Sequence, residues 1–239
     1  MKRVLLDKEQ IFTGPLILVN KEHPLRKTIG RQELRVVGRG VKLQREAALQ
    51  LKLLLEEQSE IISVSGFRSH KEQKNLYQQS LRDNGENFTR NYVALPRCSE
   101  HECGLAIDLG ENKEPIDEIC PSFPYTGPCQ DFRNKAPWFG FVQRYEKGKE
   151  AATGIAHEPW HFRYVGFPHS LIMQEKALSL EEYLEFLRKE KRIVWSCGHK
   201  SIEIQYISAG TEGAAAEIPE GRPYQISGDN EGGIVVTLW

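Results

Sequence analysis

The clearest amphipathic stretch is 41–57, VKLQREAALQLKLLLEE, which lacks Gly and Pro and sets apolar residues at 47, 51, 54 and 55 on one face at helical spacing. It predicts a helix. Ile61-Ile62-Ser63-Val64-Ser65 is short, β-branched and ends at Gly66, which predicts a strand. From Ser69 a second helix is predicted to about Arg82: Glu72 follows at capping-box spacing, and Asp83-Asn84-Gly85 stops it. Residues 84–100 read as a loop and 105–109 as a strand. Residues 111–137 hold Pro115, Pro121, Pro124, Pro128 and Pro137, a density that predicts a long surface excursion of the kind that often carries function. Aromatic and β-branched runs predict strands at 138–142 and 160–165. Ser179 with Glu182 repeats the capping-box spacing and opens a helix to about Lys191. Residues 1–40 read as irregular around an apolar segment at 15–19.

After residue 192 the pattern changes to short strands at 193–195, 202–207, 224–227 and 234–238, with the turn-rich run Gly228-Asp-Asn-Glu-Gly-Gly233 between the last two. This predicts a small antiparallel β appendage, too small to stabilise itself alone and therefore docked on a main body. The expected division is 1–192 for the main domain and 193–239 for the appendage. No internal repeat or low-complexity segment is present.

Composition narrows the function classes. The chain has 239 residues, 39% hydrophobic and 27% charged, enough apolar matter for a buried core. Its net charge of −1 argues against broad binding of nucleic acid or anionic membranes, which calls for surplus positive charge. No apolar run approaches a membrane span, and the five residues at 15–19 are too few for a signal-peptide core, so a cytoplasmic location is expected. Five cysteines (Cys98, Cys103, Cys120, Cys129 and Cys197) do not form a disulfide framework, although Cys120 and Cys129 flank a Pro/Gly-rich loop and could bridge if oxidised.

Two clusters carry the candidate chemistry. The first is Ser99-Glu-His101-Glu-Cys-Gly104-Leu-Ala-Ile-Asp108, and the second is Gly154-Ile-Ala-His157-Glu158-Pro-Trp-His161-Phe-Arg163-Tyr-Val-Gly166. Strand alternation sends Leu105, Ile107 and Leu109 to the core and turns Asp108 the other way, toward something polar, because an ionised carboxylate buried alone is very costly. Gly104 permits a turn that returns His101 to Asp108. In the second cluster, Glu158 and His161 would point to opposite faces of a straight strand. Pro159 is expected to start the strand, with Glu158 swung in from the loop and His161, Arg163 and Val165 on one face. Two imidazoles, an aspartate and a further glutamate suggest zinc: His101, Asp108 and His161 as three protein ligands, leaving a fourth place for water, and Glu158 as base. The competing readings are ordinary satisfied surface or core residues, or a site of His101 with Cys98 and Cys103. His157 would line the pocket or face away from Glu158, Cys103 is expected to be a packed thiol, and His70, His169 and His199 are expected at the surface or behind the ligands.

At these residues the chain resembles the VanY and VanXY-type D,D-carboxypeptidases, zinc peptidases that trim D-Ala from cell-wall precursors. The matching motifs are Ser65-Gly-Phe-Arg-Ser69, Ser99-x-His-x-x-Gly-x-Ala-x-Asp108, Glu158-Pro-Trp-His-Phe-Arg-Tyr-Val-Gly166 and Gly166-Phe-Pro-His-Ser-Leu-Ile-Met173, across roughly residues 15–190. The resemblance implies an α+β fold, an antiparallel sheet with flanking helices. It implies Zn2+ on His101, Asp108 and His161, and Glu158 as general base. Arg68 would steady the developing oxyanion or the substrate, and Gln73 and Ser99 would contact the substrate's terminal carboxylate. The implied substrate is a peptidoglycan precursor pentapeptide ending in D-Ala, with a link to glycopeptide resistance. The alternatives are an L,D-carboxypeptidase, a bifunctional dipeptidase and carboxypeptidase, and a non-catalytic peptidoglycan-binding module.

Overall fold

The computed structural model describes residues 1–56, 58–198, 200–210 and 213–239. Its strands are β1 (Lys2–Leu6), β2 (Leu34–Gly38), β3 (Val41–Gln44), β4 (Ile61–Ser65), β5 (Ala106–Glu111), β6 (Phe141–Tyr145), β7 (Glu158–Tyr164), β8 (Arg192–Cys197), β9 (Lys200–Ser208), β10 (Ala214–Ile218), β11 (Tyr224–Gly228) and β12 (Gly233–Leu238). Its α-helices are α1 (Arg45–Leu55), α2 (His70–Asp83), α3 (Gly85–Tyr92), α4 (Gly127–Lys135), α5 (Glu150–Thr153), α6 (His169–Lys176) and α7 (Leu180–Glu190). The α+β class with antiparallel sheets and helices therefore holds. The compact units do not share the boundary drawn at residue 192: one is Val19–Ser179, and the other joins Met1–Leu18 to Leu180–Trp239.

The unit Val19–Ser179 is built on an antiparallel sheet in the order β4-β5-β7-β6. Helix α1 buries Ala47, Ala48, Leu51 and Leu54, the face its spacing predicts, but it starts at Arg45. Val41-Lys-Leu43-Gln alternates with period two, and it pairs with β2 as a hairpin through Arg39-Gly40, burying Leu43 completely. Helix α2 opens as expected on a reciprocal cap. Ser69 Oγ accepts from the Glu72 N–H at 3.3 Å, and Glu72 Oε2 accepts from the Ser69 N–H at 2.7 Å.

Three further expectations for this unit are corrected. The loop at 84–100 contains α3, held to α2 by the buried Ser80 and Thr89 hydroxyls at 2.8 Å; its polar sequence hides a helix that depends on that contact. The last part of the Pro-rich excursion is α4, with Pro128 in its first turn where no N–H is needed. The strand expected at 138–142 starts only at Phe141, because Ala136–Phe139 forms a 3-10 turn closed by Gly140 at φ +82°, where a Cβ would meet the Gly166 backbone at 3.0 Å.

The other unit carries the antiparallel sheet β11-β12-β9-β8, whose strands match the four expected runs. Asp229 fixes the turn before β12: its Oδ1 accepts from the N–H groups of Glu231, Gly232 and Gly233 at 2.7–2.9 Å, and its Oδ2 from the Tyr206 hydroxyl at 2.7 Å. Residues 1–40 are not irregular throughout. β1 pairs antiparallel with β10, an Ala-rich strand that composition did not reveal, from Lys2 opposite Ile218 to Leu6 opposite Ala214. Leu6 and Ile11 pack with Ala216, Ile218, Ile234, Val236 and Leu238, so the first residues of the chain complete the core of its last. Helix α7 adds Leu180, Tyr183, Leu184 and Leu187.

This pairing sets an expected outcome. Leu6→Ala empties a fully packed position and costs about 2–5 kcal/mol, whereas Leu5→Ala on the same strand, 77% exposed, stays within about 0.5 kcal/mol. Urea-unfolding midpoints of the two variants measure the difference; equal midpoints would mean that the first strand is not packed in this way.

Candidate metal centre and active site

The site begins with one cross-strand pair. β5 and β7 are antiparallel neighbours, and their register sets Asp108 directly opposite His161. Side chains so paired share a face and lie within reach of each other. His161 Nδ1 stands 3.0 Å from Asp108 Oδ1. His101 comes from the 3-10 turn Glu100–Cys103, which Gly104 closes at φ +70°, a left-handed conformation that an L side chain adopts only with strain. The turn returns the imidazole to the strand, with Nε2 at 3.2 Å from Asp108 Oδ2. One donor atom from each of His101, Asp108 and His161 lies within 4.8 Å of the other two, and all three residues are buried.

Their hydrogen bonds face the three donors toward one point. His101 Nδ1 is 2.8 Å from the Gly66 carbonyl, which can only accept, so the proton sits on Nδ1 and the Nε2 lone pair faces Asp108. His161 Nε2 is 3.3 Å from Glu100 Oε2, which likewise turns Nδ1 inward. Asp108 Oδ1 is buried and makes no hydrogen bond of acceptable geometry among the described residues, despite the nearby imidazole. Once His161 gives up the proton on Nδ1, two nitrogens and a carboxylate oxygen converge as acceptors on a space that a cation would satisfy. The donor set suits zinc. Burial alone would lower the affinity of His161 for a proton, but the carboxylates of Asp108 and Glu100 outweigh it and push the imidazole up to about 9. Burial also opposes ionisation of Asp108, yet the two imidazoles hold its carboxyl far below the ordinary range.

Glu158 joins this cluster through an irregularity that corrects the expectation for Pro159. β7 begins at Glu158, with Pro159 inside the strand. Gln143 pairs with Phe162 and Tyr145 with Glu158, so two steps along β6 face four along β7. The extra length bends the strand and places Glu158 on the face of His161, with Oε2 3.6 Å from Nδ1. Burial, reinforced by Asp108 and Glu100 against His161 and Arg68, pushes Glu158 up to about 8. Arg68, just after β4, reaches Asp108 Oδ2 at 3.7 Å and donates to Gln73 Oε1 at 3.0 Å. The Gln73 amide in turn donates to the Ala94 carbonyl at 2.7 Å, so both ends of that side chain are engaged in holding Arg68. Ser99 is buried beside the cluster. These residues line a cavity of about 570 Å³, walled also by Tyr92, Tyr145, Ile155 and Trp160.

The remaining histidines lie elsewhere. His157 Nε2 meets the Tyr125 hydroxyl at 2.6 Å, His70 pairs with Glu102 at 3.1 Å, and His169 is buried, which pushes it down to about 3. His199 lies outside the described residues. Cys103 is the packed thiol expected: it donates to the Glu100 carbonyl at 2.9 Å and is not part of the His101 cluster. All five cysteines are free thiols, Cys120 and Cys129 included.

Residues 40–167 match the family model VanY, described as D-alanyl-D-alanine carboxypeptidase. The chain belongs to the VanY family. It is 41% identical over 184 residues, 74% of this chain and 97% of the relative, to the bifunctional D-Ala-D-Ala dipeptidase and D-Ala-D-Ala carboxypeptidase VanXYC of Enterococcus gallinarum. The crystal structure of the vancomycin resistance D,D-dipeptidase VanXYg, in complex with a D-Ala-D-Ala phosphinate analogue, matches with a TM-score of 0.96 at 49% identity, covering 100% of this chain and 98% of that one. A VanY D,D-pentapeptidase mutant from a VanB-type resistance cassette, in complex with Zn(II), matches with a TM-score of 0.56 at 26% identity, covering 71% and 98%.

Within this VanY-family site the structure adds residues that the sequence reading passed over. Glu100 is fully buried, with Arg144 and Arg163 each 2.8 Å from its Oε1; burial opposes its ionisation, but the two cations hold it well below the carboxylate range. Its only signal in the sequence was its place beside His101. From the Pro-rich segment, Asp117, Glu118 and Ile119 line the cavity. The far end of that segment is tied down by Arg133, which donates to the carbonyls of Phe123 at 2.6 Å, Pro124 at 2.6 Å and Pro159 at 2.9 Å, and to Gln143 Oε1 at 2.8 Å. Arg133 also lies against the Tyr125 ring, 3.9 Å from its centroid. Arg133→Met removes these donors while keeping an apolar stem, and it is expected to cost about 1–3 kcal/mol for each acceptor left buried and unpaired. A lowered thermal midpoint, with the helix signal in circular dichroism retained at 25 °C, is the readout.

Proposed function

We propose that this chain is a zinc-dependent D,D-carboxypeptidase that removes the C-terminal D-Ala from peptidoglycan precursor pentapeptides. One observation carries the reading: His101 Nε2, Asp108 and His161 Nδ1 converge, with Glu158 beside them, at a single cavity. His101, Asp108 and His161 would hold the zinc. When bound, the ion supplies Lewis acidity and brings the pKa of a coordinated water to about 7. Glu158 takes the proton of the attacking water and passes it to the leaving amine. The water oxygen bonds to the carbonyl carbon and the peptide C–N bond breaks; D-Ala leaves as its ammonium form with both protons of the water, one passed by Glu158 and one given up by the new carboxyl group, which remains as a carboxylate. Arg68, steadied by Gln73, presents a fixed cation to the oxygen that gains charge or to the substrate's terminal carboxylate. Ser99 lines the same cavity as a polar contact for that carboxylate.

A second reading, in which the same site also cleaves free D-Ala-D-Ala, is favoured by the similarity to VanXYC and VanXYg. An L,D-carboxypeptidase would prefer tetrapeptides, and a non-catalytic module would have no use for Glu158 beside three donors. A cytoplasmic site of action and a place in glycopeptide resistance are part of the proposal; the free thiols suit a reducing compartment. Among the described residues no helix is long and apolar enough to cross a membrane.

Release of D-Ala from a muramyl pentapeptide tests the reading. Glu158→Ala is expected to lower turnover by about 10²–10⁴-fold while zinc stays bound at one per chain by elemental analysis. Undiminished turnover in that variant would reject the role of Glu158. His101→Ala, Asp108→Ala and His161→Ala are each expected to lose zinc and activity together. Comparing pentapeptide, tetrapeptide and free D-Ala-D-Ala as substrates separates the D,D, L,D and bifunctional readings, and a wild type inert on all three would leave only the binding module.

A further inference from the structure

Glu100 has no part in the reaction written above, yet it occupies a costly position. Its side chain is fully excluded from solvent. Taking a carboxylate out of water costs several kcal/mol unless other groups replace its hydration. Two arginines reach Oε1: Arg144 Nε and Arg163 Nη1 are each 2.8 Å from it. The other oxygen, Oε2, lies 3.3 Å from His161 Nε2. This division is set by the backbone. Arg163 lies two residues after His161 on β7, so both share a face, and Val142, two residues before Arg144 on β6, pairs with Arg163. Glu100 itself immediately precedes His101. The strand that carries one candidate ligand and the turn that carries another are therefore joined through a single carboxylate.

An imidazole can bind a cation through Nδ1 only if its proton is on Nε2, and a carboxylate on Nε2 fixes that tautomer, holds the ring and strengthens the donor atom. We infer that Glu100 is a positioning residue: through Nε2 of His161 it sets the tautomer and orientation of that ring and so the affinity of the site for its cation. The inference rests on the zinc reading above and deepens it. Arg144 and Arg163 hold Oε1 and thereby aim Oε2.

The test is zinc affinity of the full chain, measured by competition with a chromophoric chelator, together with the visible spectrum of the Co2+-substituted protein. Glu100→Gln keeps the shape and an acceptor but removes the charge; it is expected to weaken zinc binding by about 10–100-fold and to shift the Co2+ bands. Leu51→Ala, which damages the buried face of α1 without touching the site, serves as the control for general destabilisation and is expected to bind zinc within about twofold of wild type, because distant sites act independently. If Glu100→Gln binds zinc as wild type does, with an unchanged Co2+ spectrum, the inference is overturned. Should that variant not fold, nitrogen-15 spectra of the histidines in zinc-loaded wild type decide: a protonated Nε2 on His161 supports the role, and a protonated Nδ1 overturns it. A wild type that binds no zinc overturns the functional reading and this inference together, whereas zinc bound normally with Glu100→Gln indistinguishable overturns the inference alone.

Discussion

The pairing of Asp108 with His161 across β5 and β7 is the constraint on which the site depends. Sheet register has a period of two, so a slip of one residue would send either side chain to the opposite face. The register is held by what surrounds it. Leu105, Ile107 and Leu109 are buried on the core side, and Phe162, opposite Ile107, packs edge-on against Phe123 and Phe132. Apolar burial on one face thus determines which polar atoms meet on the other. The same logic extends to Glu158, where the departure from regular pairing between β6 and β7 supplies the bend that a straight strand would deny it.

Burying this much polarity requires a balance. Glu100, Asp108 and Glu158 lie within the site, and Arg68, Arg144 and Arg163 face them. The cations are unevenly shared. Glu100 receives two of them at 2.8 Å, Asp108 receives Arg68 only at 3.7 Å, and Glu158 has the imidazole of His161 at 3.6 Å. The least compensated carboxylate is accordingly the one whose affinity for a proton rises, while that of the other two falls. Glu100, the most fully compensated, is suited to a static role. Three acids in one buried cluster are differentiated by the distances of their partners.

Much of the site could be read from the chain because its residues sit in short motifs whose local chemistry is self-contained. Gly104 announces the turn that returns His101, the Ser69 and Glu72 spacing announces the start of α2, and strand alternation separates Asp108 from its apolar neighbours. Glu100 was not legible in this way, since a glutamate between Ser99 and His101 has the same appearance whether it faces solvent or two arginines. Nor was the engagement of Gln73 with the Ala94 carbonyl, which depends on a partner 21 residues away. Residues 84–92 and 1–6 misled for a related reason: α3 and β1 are weak in intrinsic propensity and exist because something packs or pairs with them.

By itself the sequence determined the order and kind of most elements, the turn at Gly104, the faces of α1 and β5, and the short motifs in which the candidate ligands His101, Asp108 and His161 sit. Those features depend on interactions between near neighbours, whose geometry is dictated by helix and strand periodicity. Only the tertiary structure decided that β1 completes the core of the last sixty residues, that β7 starts before Pro159 and bends, and that Glu100 faces His161 from between two arginines. Each is a contact between segments far apart in the chain, and burial there replaces the water that would otherwise satisfy the same groups.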